Sequence, residues 1–308
     1  MVGSADEQND HEFGSLAEAA AELGLRGRPL PEVSRFSVPV GQDQNLSVVR
    51  WGTDEPDVVF LHGGGQNART WDMVALVLGR PALAVDLPGH GRSDWRSDHD
   101  YWPWRNAEAV QAVLAAHAPR PVVLVGMSLG GLTAIRLARV NPDAVRALVV
   151  VDVTPGVSAR NAEMDQHQRG TTALIGGPAS FASLDEMVDL AVQASPRRPA
   201  GAVRRGVVHN SRRLPDGRWA WRYDTFGRPG EGPPDFAPLW NDLAAVQVPA
   251  LLVRGGDSAF VADADEQGFL RRHPQARSQT VPGAGHSVQS DRPAELAGII
   301  NRFLAGNG

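Results

Sequence analysis

Five short apolar runs, Val58 to Leu61, Ala82 to Val85, Val122 to Val125, Ala147 to Val151 and Ala250 to Val253, punctuate the chain, and none alternates with polar residues. A strand that is apolar at every position must be buried on both faces, which restricts it to the interior of a parallel sheet covered by helices on each side. Helix-length patterns such as Ala107 to Ala116 and Leu132 to Val140 fall between most of the runs. This alternation predicts an α/β fold with a mostly parallel, doubly wound sheet.

Ahead of the first run, Arg35 to Val40 and Leu46 to Trp51 read as two strands of an antiparallel hairpin around the turn-prone Gly41-Gln42-Asp43-Gln44-Asn45. Residues 1–30 are polar and alanine-rich, with Leu16, Ala20 and Leu23 at helical spacing, and predict a disordered start and a short surface helix. The strand–helix alternation breaks once, from about Gly156 to Val246. A structureless loop of that length is improbable inside a domain. The stretch predicts an inserted helical cap at 156–246, with a helix at Leu184 to Ala194 and a turn at Gly227-Arg228-Pro229-Gly230-Glu231-Gly232-Pro233-Pro234. The core is then 31–155 and 247–308, completed by a strand near Gln279 to Val281 and a closing helix from Pro293 to Leu304.

Charge and composition narrow the partners. A formal charge of −5 and a pI near 6.0 give no basic field for nucleic acid or an anionic membrane. A small molecule is the expected partner. The chain has no cysteine, which excludes disulfides, thiol nucleophiles and thiolate metal sites. Its start is acidic without an apolar core and no apolar run approaches the ~18 residues of a membrane span, so cytoplasmic residence is the default expectation. All 30 basic residues are arginine, which makes any single arginine weak evidence for a site.

The run Val122 to Val125 leads directly into Gly126-Met127-Ser128-Leu129-Gly130-Gly131 and then an amphipathic helix. This is G-x-S-x-G in its required setting of strand, sharp turn and helix, with glycines where side chains would collide around a strained serine. Ser128 is the candidate nucleophile. A serine hydroxyl is a poor nucleophile until a base takes its proton. His286, in Gly283-Ala284-Gly285-His286 between the last strand and the last helix, lies at the same edge of the sheet and is the candidate base. His11, His99, His117, His167 and His273 read as surface residues, and His209 in the cap is ambiguous. The developing oxyanion needs pre-placed donors. Phe60-Leu61-His62-Gly63-Gly64-Gly65 ends a strand in a glycine run, so the N–H groups of Gly64 and Leu129 are the candidate pair and Gly65 the reserve; His62 reads as a loop brace and Trp71 as core.

A further segment, Asp86-Leu87-Pro88-Gly89-His90-Gly91-Arg92-Ser93-Asp94, follows the second apolar run. With H-G-G-G, G-M-S-L-G-G and G-A-G-H in this order, the chain from about Arg35 to its end resembles the α/β-hydrolase family. The resemblance implies an α/β-hydrolase fold with a Ser-His-acid triad and no metal or organic cofactor, and it makes the segment from Asp86 a structural loop, with no catalytic role for Asp86 or His90.

Two carboxylates compete to orient the histidine. Asp257, in Leu252-Val253-Arg254-Gly255-Gly256-Asp257-Ser258, lies close to where most of the family has its acid, but the usual position is occupied by Ser258. Asp152, in Val149-Val150-Val151-Asp152-Val153-Thr154-Pro155, ends the strand before the cap. A subgroup of small esterases that the chain resembles, with G-G-x-S after the later strand and D-x-x-P after the earlier one, supplies its acid from the earlier strand. Asp152 is therefore favoured and Asp257 is the alternative.

In the cap, Trp219, Trp221, Tyr223, Phe226 and Trp240 cluster, and Trp219-Ala220-Trp221-Arg222-Tyr223 alternates like a half-exposed strand. Trp219, Trp221 and Trp240 either line a substrate pocket or fasten the cap to the core. Arg197-Arg198, Arg204-Arg205 and Arg212-Arg213 read first as solvated surface. Hydrolysis of a carboxylic ester, thioester or lactone through an acyl-serine is the leading expectation. Cofactor-free haloperoxidases or perhydrolases and carbon–carbon bond hydrolases of the same fold are alternatives, and a ligand-binding receptor on this fold is a second.

Overall fold

The computed structural model describes residues 12–41, 44–227 and 232–306. The centre of the expected hairpin turn at Gln42 and Asp43, and residues 228–231 of the expected cap turn, lie outside the described residues. Eight strands form one sheet in the order β1-β2-β4-β3-β5-β6-β9-β10. They are β1 (Val33–Gly41), β2 (Gln44–Trp51), β3 (Val58–Leu61), β4 (Ala82–Val85), β5 (Val122–Met127), β6 (Val145–Val151), β9 (Ala250–Gly255) and β10 (Arg277–Val281), while β7 (Ser211–Arg213) and β8 (Trp219–Trp221) pair with each other. β1, β2 and β4 are joined antiparallel and every other pairing in the large sheet is parallel.

The apolar runs are continuous because successive side chains enter two different cores. Val59, Leu61, Leu124, Leu148 and Leu252 face the side covered by the helices Pro103–His117 and Leu129–Val140. Val58, Phe60, Val123, Val149 and Val253 face the helices Asp72–Leu78 and Pro293–Ala305. Trp71 stacks on Phe60 in this second core, with ring centroids 4.8 Å apart. β10 is an edge strand with only Val281 buried, so its sequence lacks the apolar signature of the others.

Between β6 and β9 lie the cap helices, including Leu184–Gln193 and Ala200–His209, together with the β7–β8 hairpin. Phe181, Met187, Val188, Val203, Val207 and Trp221 form a separate small core there. Each buried Phe, Met or Val contributes about 1.5–3 kcal/mol to holding the cap together. The last helix of the insertion, Leu239–Ala244, buries Leu239 and Leu243 in the main core instead.

Two sequence expectations are corrected. The N-terminal helix, Leu16–Glu22, is docked rather than lying free on the surface: Leu16, Ala19 and Ala20 are buried. Arg69 donates to the Glu12 carbonyl (2.7 Å) and stacks its guanidinium 4.5 Å from the Phe13 ring, while Arg205 of the cap pairs with Glu22. His273 is not a surface residue. It is 3% exposed, with Nε2 3.0 Å from the Val248 carbonyl, because it closes the C-terminal turn of the helix Asp263–Arg272 against the loop before β9. Among the described residues, no helix is long and apolar enough to cross a membrane.

Candidate active site

Two non-glycine residues at the C-terminal ends of neighbouring strands take up backbone conformations that side chains rarely adopt: Ser128 after β5 (φ 52°, ψ −120°) and Asp152 after β6 (φ 51°). Such geometry costs of order 1–3 kcal/mol and persists only where surrounding bonds over-determine it. Ser128 donates its N–H to the Val151 carbonyl (3.1 Å) and accepts at its own carbonyl from Leu132 N–H (3.0 Å); Asp152 donates its N–H to the Val253 carbonyl (2.7 Å). The turn also requires two glycines. A Cβ on Gly126 would collide with the Gly130 carbonyl, and one on Gly130 with the carbonyls of Leu61 and His62.

His286 joins the two. Its Nε2 lies 3.1 Å from Ser128 Oγ and its Nδ1 lies 2.8 Å from Asp152 Oδ2. Asp152 has no exposed surface, and its charge is met by two further donors: Gly255 N–H to Oδ1 (2.8 Å) and Ser258 Oγ–H to Oδ2 (2.5 Å). The Phe260 ring stacks on the imidazole with centroids 3.5 Å apart and planes 10° from parallel. Asp257 is elsewhere: half-exposed, it pairs with Arg197 at 3.3 Å, and among the described residues no hydrogen bond or ion pair joins it to His286.

The glycine loop after β3 has its backbone donors sorted by its neighbours. Gly63 N–H goes to Gln66 Oε1 (3.2 Å) and Gly65 N–H to His90 Nε2 (3.1 Å). Gly64 N–H has no protein acceptor among the described residues, and neither does that of Leu129, the first residue of the helix after Ser128. The reserve donor Gly65 is thus already engaged. Both histidines that brace this loop are fully buried. His62 accepts from Leu87 N–H at Nε2 (2.9 Å) and donates from Nδ1 to the Gly63 carbonyl (2.8 Å). His90 donates from Nδ1 to the Pro88 carbonyl (2.9 Å). Burial, aided by the neighbouring His62, pushes the His90 pKa down to about 3, and burial also lowers that of His62, so both rings are neutral near neutral pH. Asp86 anchors the second loop: burial opposes its charge, but Arg35 at 2.6 Å and the N–H groups of Ala68 and Arg92 hold its pKa below the ordinary value.

A cavity of about 230 Å³ opens at Ser128 and His286 and runs under the cap. Of the three candidate tryptophans, Trp221 lines it, stacked with Tyr223 (centroids 6.0 Å apart). Trp219 sits on the hairpin, bridged to Phe181, and Trp240 packs beneath the Arg272 guanidinium at 4.5 Å, both outside the lining. Ile175 and Phe226 close over the glycine loop, within 3.6 Å of where a Gly64 side chain would start. Ile175, Phe260 and the bracing role of Ser258 were not identified from the sequence. Only Ser258 carried a signal, as a hydroxyl standing where an acid is usual.

A serine–histidine–aspartate line at the C-terminal edge of a sheet, with the aspartate buried and the serine open to a cavity, beside a glycine loop, is the arrangement of a serine hydrolase. The profile of the α/β hydrolase family matches residues 58–299, and the chain belongs to that family. It is 52% identical over 297 residues to the esterase Rv0045c of Mycobacterium tuberculosis, covering 95% of each chain. A solved structure of that esterase superposes with a TM-score of 0.83 at 51% identity, over 96% of this chain and 98% of the other. The sn-1-specific diacylglycerol lipase ABHD11 of Mus musculus is 31% identical over 257 residues, 81% of each chain.

Proposed function

We propose that the protein is a serine esterase that cleaves small-molecule carboxylic esters through an acyl-Ser128 intermediate. The observation that carries this reading is the continuous line from Ser128 Oγ through His286 to Asp152, with its 3.1 and 2.8 Å links, at the mouth of a mostly apolar cavity. Ser128 attacks the ester carbonyl carbon as His286 Nε2 takes the hydroxyl proton. Asp152 accepts the Nδ1–H bond, fixes the tautomer and stabilises the imidazolium. The carbonyl oxygen becomes an oxyanion held by the N–H groups of Gly64 and Leu129, each worth about 3 kcal/mol in the transition state. The leaving alkoxide takes the proton from His286. Water then attacks the acyl-serine, with the same imidazole as base, and releases the acid.

Stacking by Phe260 limits the imidazole to rotations that keep both nitrogens aligned, and so supports the same reading. The test is stoichiometric labelling by a fluorophosphonate, located by peptide mass spectrometry, together with turnover of p-nitrophenyl butyrate. Modification of Ser128 with parallel loss of turnover is expected. Labelling at another residue, or turnover that survives full labelling of Ser128, would contradict the reading.

A further inference from the structure

The cavity that begins at Ser128 does not end within the cap. It is lined also by the N-terminal helix and its first turn, through Ser15, Leu16 and Ala19, a segment that lies outside the matched family region. Leu16 and Ala19, three residues apart, share one helical face. Both are 4% exposed. The helix is held at this wall from two sides. On the core side Arg69 donates to the Glu12 carbonyl at 2.7 Å, and on the cap side Arg205 pairs with Glu22 at 2.5 Å and Glu18 at 3.4 Å. Ser15 Oγ also lies 3.4 Å from His209 Nε2 of the cap.

An ester has two parts that need different spaces. The acyl group stays covalently attached through both halves of the reaction, whereas the alcohol must leave after the first. A limb walled at its end suits the part that stays. A second cavity, lined by Ser258, Ala259 and His286 but not by Ser128, adjoins the imidazole on its Asp152 side, away from the Nε2 that hands over the proton. Resting on the esterase reading above, we infer that the N-terminal helix is the end wall of the acyl-chain site, and that Leu16 and Ala19 set the length of apolar acyl chain the enzyme accepts.

The experiment measures kcat/KM for p-nitrophenyl esters from acetate to decanoate, a series in which the leaving group is constant. Wild type is compared with Ala19→Leu, which fills the end of the limb, and Leu16→Ala, which lengthens it. Filling is expected to lower kcat/KM for the longest accepted chains about ten-fold or more while acetate stays within about two-fold. Lengthening is expected to move the optimum to longer chains, with a gain of about four-fold for each methylene newly accommodated. Opposite movements in the two variants cannot arise from loss of stability, which scales every ester alike. If either variant folds, its chain-length profile decides the matter. A profile unchanged from wild type makes the helix a structural prop and overturns the inference while leaving the esterase reading intact. A wild type without turnover on any ester overturns both.

Discussion

Asp152 has no solvent to share its charge with, so every bond it makes is consequential. Three donors reach it, from His286, Gly255 and Ser258, and the shortest of these bonds is the hydroxyl of Ser258 at 2.5 Å. Removing that hydroxyl leaves the carboxylate with a weaker hold on its charge and position. The Ser258→Ala variant is expected to fold and to lose about ten-fold in kcat with little change in KM, since a hydrogen bond to a charged group is worth about 1.5–3 kcal/mol. Steady-state kinetics checks this, and wild-type kcat would show that Ser258 plays no part in holding the acid. The sequence marks Ser128 and His286 clearly because their backbone demands flanking glycines. It leaves the acid open between two strand ends, since which carboxylate reaches the imidazole depends on how far β6 and β9 project. Phe260 leaves no local mark at all, for stacking on His286 is a contact between distant segments.

At the scale of elements, the short parallel strands were legible because two-sided burial removes polar residues from them. β10 was harder to delimit because, as an edge strand, it buries only Val281. The loop after β3 illustrates a device that sequence does not disclose. Its H-G-G-G run identifies the loop, but the N–H left without an acceptor is decided by Gln66 and by His90 from another loop. His90 also sets a pH limit. Its ring is neutral in the fold down to about pH 3 but titrates near 6.5 when unfolded, so the unfolded chain binds the extra proton in between. Stability from this ring is complete above about pH 6.5 and is lost as pH falls toward 3, and His62 acts in the same direction. Asp72 acts oppositely: burial raises its pKa to about 6, so the fold binds its proton first and gains relative stability as pH falls from about 6 toward the ordinary value of 3.8. His117 and His209 are lowered by burial as His62 and His90 are, and Asp57, Asp86 and Asp98, held below the ordinary carboxylate value, also favour the fold less as pH falls, all against Asp72 alone; urea unfolding is therefore expected to show stability declining from pH 7 to pH 4, and His90→Asn to show a shallower decline. An unchanged slope in that variant would exclude His90 as a source of the acid sensitivity.

For the molecule as a whole, the insertion and the catalytic edge are tied by specific polar contacts as well as by apolar packing. Asn210 of the cap donates to the Gly65 carbonyl at 2.7 Å and accepts from Asn67 at 3.0 Å, so the cap holds the glycine loop directly. Asn210→Ala removes the donor to the Gly65 carbonyl, while Asn67 keeps its bond to the His209 carbonyl (3.2 Å), and is expected to destabilise the fold by about 1–3 kcal/mol. It should also raise KM, because the cavity roof loses its fixed relation to the loop; denaturant titration and kinetics check the two effects separately. The existence of the cap was legible from the break in strand–helix alternation. Its fastening was not, because arginines that read as surface, such as Arg198 with Asp291 at 2.6 Å, are spread through a chain that uses arginine everywhere. Whether Ser128, His286 and Asp152 act together to hydrolyse an ester is decided by p-nitrophenyl butyrate hydrolysis in wild type, Ser128→Ala, Asp152→Asn and Asp257→Asn, with folding checked by circular dichroism. Turnover is expected in wild type, with loss to background in Ser128→Ala, a fall of about 10⁴-fold in Asp152→Asn and a change within about two-fold in Asp257→Asn. Retained turnover in Ser128→Ala, or a larger loss in Asp257→Asn than in Asp152→Asn, would contradict that joint action.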